Sequence, residues 1–311
     1  MTLHKKIALG ALALNIALFG TYIQAQEKTK VRVGYFSQLH DAAVLNLKQD
    51  LADKYEFEYI KFQRYADAAI ALSRGDLDVS SLGYANLITE AAKNIEPKFK
   101  FISGLARGAI NLVCNNSIKV DNWADLKGKN IGIVAGFPEI FLDDALQSHK
   151  QNPADVKKIN FAVAGPPVLQ ALKDGTTDCS AVFEPFGATA VSNGYAYYPN
   201  TNLAENSFKG LNNGIAANVD FVSKNTDIIT DIVASVKKST SNFKEQPEQW
   251  IELMTKSQDF PKAIVEIGVK RVVLDAELYP KEAAILANNM KELGLIRTEP
   301  SEEHLNNFFS K

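Results

Sequence analysis

Apolar residues in this chain fall into two patterns that alternate. Short, nearly continuous apolar runs, "KVRVGYF" (30–36) and "KNIGIVA" (129–135), predict buried strands. Each is followed by a longer segment with apolar residues at helical spacing, "DAAVLNLKQDLADKY" and "PEIFLDDALQSHKQN". A second strand follows in each place, "FEYIKF" and "INFAVA", and then a second helix, "ADAAIALSRG" and "PPVLQALKDG". Both second helices end at Gly, the residue that closes a helix in the left-handed region. A third strand closes each series, "VSSLGY" and "CSAVFEP". The order strand, helix, strand, helix, strand therefore occurs twice, about a hundred residues apart.

The duplication is also legible residue by residue. "ALSRGDLDVS" (71–80) and "ALKDGTTDCS" (171–180) agree at five of ten positions. Alternating strands and helices predict an α/β fold of two similar lobes, each a mostly parallel sheet flanked by helices. Between the copies, "KFKFISGLARGAINLVCNN" holds two strand-like runs and reads as the crossing from lobe 1 to lobe 2. "FKGLNNGIAANVDFV" reads as the return, which completes a two-strand hinge. The remainder is helical and packs mainly on lobe 1. The boundaries that follow are 26–107 and 213–311 for lobe 1 and 108–212 for lobe 2. Open parallel sheets bind ligands beyond the carboxyl ends of their strands, so two facing lobes predict a site between them.

The first residues stand apart. His4, Lys5 and Lys6 precede an apolar run from Ile7 to Phe19, and a small residue, Ala25, precedes a polar stretch. This reads as a secretory signal peptide, 1–25, cleaved near Ala25; an uncleaved anchor is the alternative, but the run is short for a span and contains Asn15. No cysteine near Ala25 offers a lipid anchor, so the expected location is the periplasm. Without Lys5 and Lys6 the balance is 32 basic against 36 acidic residues, which asks for neither nucleic acid nor an anionic membrane surface. Cys114 and Cys179 are expected on different strands, and two buried thiols are favoured over a disulfide. Two cysteines and four histidines, all scattered, give no metal-ligand spacing, and no cofactor is expected.

"VRVGYF", "ALSRGDLDVSSLGYAN", "ADLKGKNIGIVAG", "ALKDGTTDCSAVFEPF" and "MKELGLI", in this order, resemble the substrate-binding proteins of ABC importers of the nitrate, sulfonate and taurine type, a group that includes thiamine-pyrimidine binders. The resemblance covers the mature chain. It implies a type II periplasmic-binding fold that closes as a monomer on a small-molecule solute, with a membrane permease and an ATPase as partners. It does not name the solute.

The loops after the strands supply the candidate contacts. After the first strand come Phe36, Ser37, Gln38 and His40, ahead of Asp41 at a helix start. Ser37 as a plain cap and His40 as a surface histidine are the bland alternatives. After the third strand, Tyr84 offers an aromatic face, and Asn86 is either a contact or a helix cap; the resemblance places this loop in the cleft. In lobe 2, Gly136, Phe137 and Glu139 open a helix, and Glu139 already offsets its dipole. Glu184 and Phe186 end the last strand; a carboxylate fixed by Pro185 suits an amine or ring N–H, or else holds backbone. Arg107 lies at the first crossing and would meet an anion or pin Glu184 or Asp41. Asn213 lies on the return. Three acids and an aromatic wall together favour a small nitrogen-containing or zwitterionic organic solute, such as a heterocycle, amine or aminosulfonate. A simple anion such as an alkanesulfonate or nitrate is the alternative.

Binding is expected over catalysis. There is no Cys/His nucleophile pair, no HExxH and no phosphate loop, although a pyrimidine-biosynthesis-like enzyme or a ligand-sensing module would share the fold. Asp78 and Asp178 lie at the far ends of their strands and are expected to serve the scaffold.

Overall fold

The computed structural model describes residues 28–134 and 136–310; the expected signal peptide, 1–25, lies outside them. The strands are β1 (Thr29–Tyr35), β2 (Tyr55–Lys61), β3 (Val79–Gly83), β4 (Phe99–Gly108), β5 (Ile110–Asn115), β6 (Asn130–Val134), β7 (Lys157–Phe161), β8 (Cys179–Phe183), β9 (Ala196–Tyr197), β10 (Leu211–Asn218) and β11 (Val272–Leu274). The first six helices are α1 (Ala42–Asp50), α2 (Tyr65–Arg74), α3 (Tyr84–Ala91), α4 (Phe137–Ser148), α5 (Pro166–Lys173) and α6 (Phe186–Ser192). The last six are α7 (Val219–Lys224), α8 (Thr226–Glu245), α9 (Pro247–Gln258), α10 (Lys262–Gly268), α11 (Pro280–Glu292) and α12 (Glu302–Asn306).

These strands form two sheets, ordered β11-β4-β10-β3-β1-β2 and β7-β6-β8-β5-β9. Each has a parallel core of three strands, β2-β1-β3 and β7-β6-β8, as the strand–helix alternation requires. The strands added at the crossings run antiparallel to their neighbours. The chain passes from β4 to β5 through Gly108 and Ala109, both at positive φ, and returns into β10. Gly108 N–H donates to the Gly210 carbonyl at 2.7 Å, so the two crossings are tied together.

The repeated stretch does the same work in both sheets. Gly75 and Gly175 follow α2 and α5, each at φ +79°. Asp78 accepts from the Arg32 backbone N–H, and Asp178 from that of Asn130, each at 2.7 Å. Asp78 thus anchors the middle of β1 and Asp178 the start of β6; Asp78 also grips the Arg32 guanidinium through both oxygens. Ser80 lies opposite Gly34, and Ser180 opposite Gly132. A Cβ on Gly34 would stand 2.4 Å from Ser80 Oγ, and one on Gly132 2.7 Å from Ser180 Oγ. We expect Gly132→Ala to cost about 2 kcal/mol, the usual scale of overpacking. In urea unfolding the added S180A change should recover part of that loss; no recovery would mean that Ser180 is not what excludes the methyl.

Two local expectations change. Cys114 and Cys179 are not separate thiols. Strands β5 and β8 pair antiparallel with these two residues directly opposite, and their sulfurs are bonded. The sequence reading treated the two strands as unrelated, and their adjacency brings the thiols together. The chain end is also not a helix throughout. After α12, Phe308 and Phe309 turn to β4, where Phe101 N–H donates to the Phe308 carbonyl and Ser310 N–H to that of Phe101, both at 2.8 Å. Two consecutive phenylalanines can both be buried there, whereas an exposed helix would leave one in water.

Candidate functional site

A cleft of about 590 Å³ lies where the carboxyl ends of the two parallel cores face each other. Lobe 1 contributes Gln38, Gln63 to Ala66, Ala85, Asn86 and Thr89, with Met290 from α11 and Leu295 from the turn after it. Lobe 2 contributes Val134, Gly136 to Pro138, Ile140, Ala162 to Ala164 and Phe183. A smaller recess of about 220 Å³ shares Gln38, Gln63, Val163 and Ala164 and adds Phe36, Ser37, Lys61, Phe62 and Phe186. The two adjoin through these four shared residues. Another concavity of about 380 Å³, between α9 and α10, is built by lobe 1 alone and lies away from the strand ends.

Four helices begin at the cleft: α2 at Tyr65, α3 at Tyr84, α4 at Phe137 and α5 just after Ala164. None of the four carries a side-chain cap on its first-turn N–H groups. Uncapped N-termini carry partial positive charge and bare donors, most fully here in α3; Asp67 and Glu139 offset the dipoles of α2 and α4, and Pro138, Pro166 and Pro167 remove N–H groups from α4 and α5. The charged side chains lining the cleft and its recess are Lys61 and Arg64; no described Asp or Glu lines either. The rest of the lining mixes the polar side chains of Ser37, Gln38, Gln63, Tyr65, Asn86 and Thr89 with an apolar face of Phe36, Phe137, Phe183, Phe186, Val163 and Met290. Such a surface can hold an anionic head against donors and an apolar body against rings.

Of the residues expected from sequence, the structure brings Phe36, Ser37, Gln38, Asn86, Gly136, Phe137 and Phe186 to this site. Ser37 Oγ also donates to Gln258 Oε1 at 2.7 Å. Asn86 lies in the first turn of α3, which starts at Tyr84, so it does not cap the helix. The other expected contacts are placed elsewhere. Tyr84 turns into the lobe 1 core, with its ring 4.7 Å from Phe101 and 6.1 Å from Phe309. His40 is buried behind the cleft wall, 3.0 Å from the Tyr65 hydroxyl; burial pushes it down to about 3, so it is neutral. Asn213 is buried beside it and donates from Nδ2 to the same hydroxyl at 2.9 Å. Arg107 pairs with Asp275 at 2.8 Å, not with Glu184 or Asp41.

The three acids are all engaged inside the protein. Glu139 pairs with Lys158 at 3.0 Å. Glu184 is fully buried, and its oxygens accept from Asn111 Nδ2, the Ala188 N–H and the Tyr198 hydroxyl at 3.0, 3.0 and 2.8 Å. This is the backbone-holding role, and it leaves no oxygen in the cleft. Burial raises Glu184 to about 7 against the pull of those donors. Asp41 is fully buried and accepts from the Phe36 N–H at 2.5 Å; burial raises it to about 7 as well. The sequence reading gave these acids to the solute because it could not see how many donors converge on them from the protein.

Gln63, Arg64, Tyr65 and Ala162 to Ala164 were missed. They follow the second strand of each lobe, whereas the sequence expectations rest on the loops after the first and third strands. The rule that ligands lie beyond the carboxyl ends of parallel strands covers the second strand too, so the signal in "KFQRY" was present.

The sequence model of the NMT1/THI5-like family matches residues 56–250. No curated protein matches the chain at significance. Among solved structures, the periplasmic aliphatic sulphonate binding protein SsuA from Escherichia coli is similar, with a TM-score of 0.73, 17% identity and coverage of 90% of this chain and 99% of that one. SsuA from Xanthomonas axonopodis pv. citri, bound to MOPS, gives 0.71 and 16%, covering 92% and 99%. The nitrate-binding protein NrtA from Synechocystis PCC 6803 gives 0.70 and 13%, covering 91% and 86%. At such identities the likeness establishes the periplasmic-binding fold.

Proposed function

This chain belongs to the NMT1/THI5-like family, and on that premise we propose that it is the solute-binding component of an ABC importer, closing two lobes on a small organic anion. One observation carries the ligand class: the interlobe cleft and its recess are lined by Arg64 and Lys61 and by four uncapped helix N-termini, with no described carboxylate among the lining residues. The expectation of an amine or N-heterocycle rested on an aromatic wall, which Phe36, Phe137 and Phe186 supply, and on Asp41, Glu139 and Glu184, whose internal bonds speak against it. The apolar wall favours an anion with an aliphatic or aromatic body over bare nitrate. Structural relatives named for binding sulphonates and nitrate support the same direction. A permease and an ATPase are the partners this reading requires, and the periplasm is its compartment. Closure about the Gly108 and Gly210 crossings would bury the solute and create the surface that the permease meets.

A thermal-shift panel on protein refolded free of carried solute tests this. Alkanesulfonates and arylsulfonates should raise the midpoint, because a ligand bound only to the folded state stabilises it by mass action. Amines and uncharged pyrimidines should not. A shift confined to the amines would overturn the anion reading. Turnover of a bound solute would overturn the binding role itself.

A further inference from the structure

Tyr65 stands at the first turn of α2 with its ring in the cleft wall, 4.0 Å from the Phe36 ring. Three polar groups converge on its hydroxyl: Gln38 Oε1 at 2.5 Å, Asn213 Nδ2 at 2.9 Å and His40 Nε2 at 3.0 Å. A phenol has one proton to give and two lone pairs to fill. Asn213 Nδ2 can only donate. The shortest contact, to Gln38 Oε1, takes the phenolic proton, and neutral His40 donates from Nε2 to the second lone pair. The hydroxyl is then saturated.

The consequence falls on Gln38. Its carbonyl oxygen is held by Tyr65, so its amide cannot turn over without losing that bond. Its Nε2 has no protein acceptor among the described residues, and Gln38 lines both the cleft and the recess. The loop that carries it is held from two other sides. Trp250 Nε1 donates to the Leu39 carbonyl at 2.9 Å, and the Leu39 N–H donates to the Glu184 carbonyl of lobe 2 at 3.2 Å. Asn213, at the far end of the chain of bonds, sits on β10, the returning hinge strand.

We propose that Tyr65 is a positioning residue: with Asn213 behind it, it locks the Gln38 amide so that Nε2 presents donors to the solute, and this point of the cleft accepts only a hydrogen-bond acceptor. The inference rests on the anion reading and sharpens it. At the Gln38 position the solute carries an ionised oxygen, as in a sulfonate or carboxylate, and not an N–H. A solute N–H placed there would face the Gln38 amide hydrogens and leave both donors unpaired, which is the costly kind of mismatch.

The test compares ethanesulfonate with ethanesulfonamide, an uncharged analogue in which one oxygen gives way to NH2, by calorimetric titration. Wild type should prefer the sulfonate. Tyr65→Phe keeps the ring and frees the Gln38 amide to turn, so the preference ratio should fall about tenfold, the scale of one hydrogen bond to a charged group. A merely structural loss would weaken both ligands alike and leave the ratio unchanged, and that result would overturn the inference. Because Tyr65→Phe also strips partners from His40 and Asn213, Gln38→Glu serves as the second variant. Its carboxylate still accepts from Tyr65 and should fold, but it turns the presented donor into an acceptor. Ethanesulfonate binding should then drop at least about a hundredfold. Undiminished sulfonate affinity in Gln38→Glu would also overturn the inference while leaving the anion reading intact. If wild type binds no sulfonate or carboxylate at all, the anion reading fails, and this inference falls with it.

Discussion

Replacing Cys114 and Cys179 together by serine should lower the unfolding free energy by about 4 kcal/mol. The bridge spans 65 residues of sequence, and closing a loop of that length removes chain entropy of this size from the unfolded state. It joins β5, which enters lobe 2 from the hinge, to β8, which ends at Phe183 in the cleft wall. Both residues are fully buried, and the serine pair would place two hydroxyls where apolar sulfur stood. Urea unfolding of the double variant, against wild type with and without reductant, checks this. A loss below about 1 kcal/mol would show that the bridge adds little to a lobe already held by its core. The bridge also suits a chain that matures in an oxidising compartment.

Stability should fall by about 3 kcal/mol as the pH rises from 5 to 7. Asp41 and Glu184 are raised to about 7 in the folded protein, from 3.8 and 4.5. Each therefore contributes stability that is fully present below its unfolded value and lost as pH rises through the folded value. Per group, the slope inside that window is about 1.4 kcal/mol per pH unit. His40 works in the opposite sense. Burial lowers it from 6.5 to about 3, so its contribution is present above 6.5 and lost as pH falls. Between pH 5 and 6.5 two acids act against one histidine, leaving a net fall of one group's slope; between 6.5 and 7 the two acids act alone. Asp41→Asn should bring the slope near zero between pH 5 and 6.5, because Glu184 and His40 then cancel. A wild-type protein that becomes more stable from pH 5 to 7 would contradict these assignments.

The architecture was largely open to sequence reading because the repeat ties identical letters to identical geometry. Gly75 and Gly175, Asp78 and Asp178, and Ser80 and Ser180 each recur with the same partner type in both sheets. Such local relations repeat whenever the fold does. The antiparallel pairing of β5 with β8 does not follow from local pattern, and so the disulfide was missed. The site was legible by position and less so by direction. Gln38, Asn86 and Phe137 stand where the strand ends predict. Tyr84 is in the right loop, but its ring turns to Phe101 because α12 and the chain end bring Phe308 and Phe309 over that face. Glu184 looked free beside Pro185, yet Asn111, Ala188 and Tyr198 take its oxygens from three separate elements. Whether an acid meets solute or protein depends on long-range partners that no local pattern records.

The proposed function requires an organic anion held between the lobes by the donors at the strand ends. Hydrogen–deuterium exchange of the whole protein, with and without saturating ethanesulfonate, tests it most directly. Protection should appear together in residues 63–66, 85–89, 136–140 and 162–165, from both lobes at once. Protection confined to the α9–α10 groove, or to one lobe alone, would place the solute elsewhere and contradict the account.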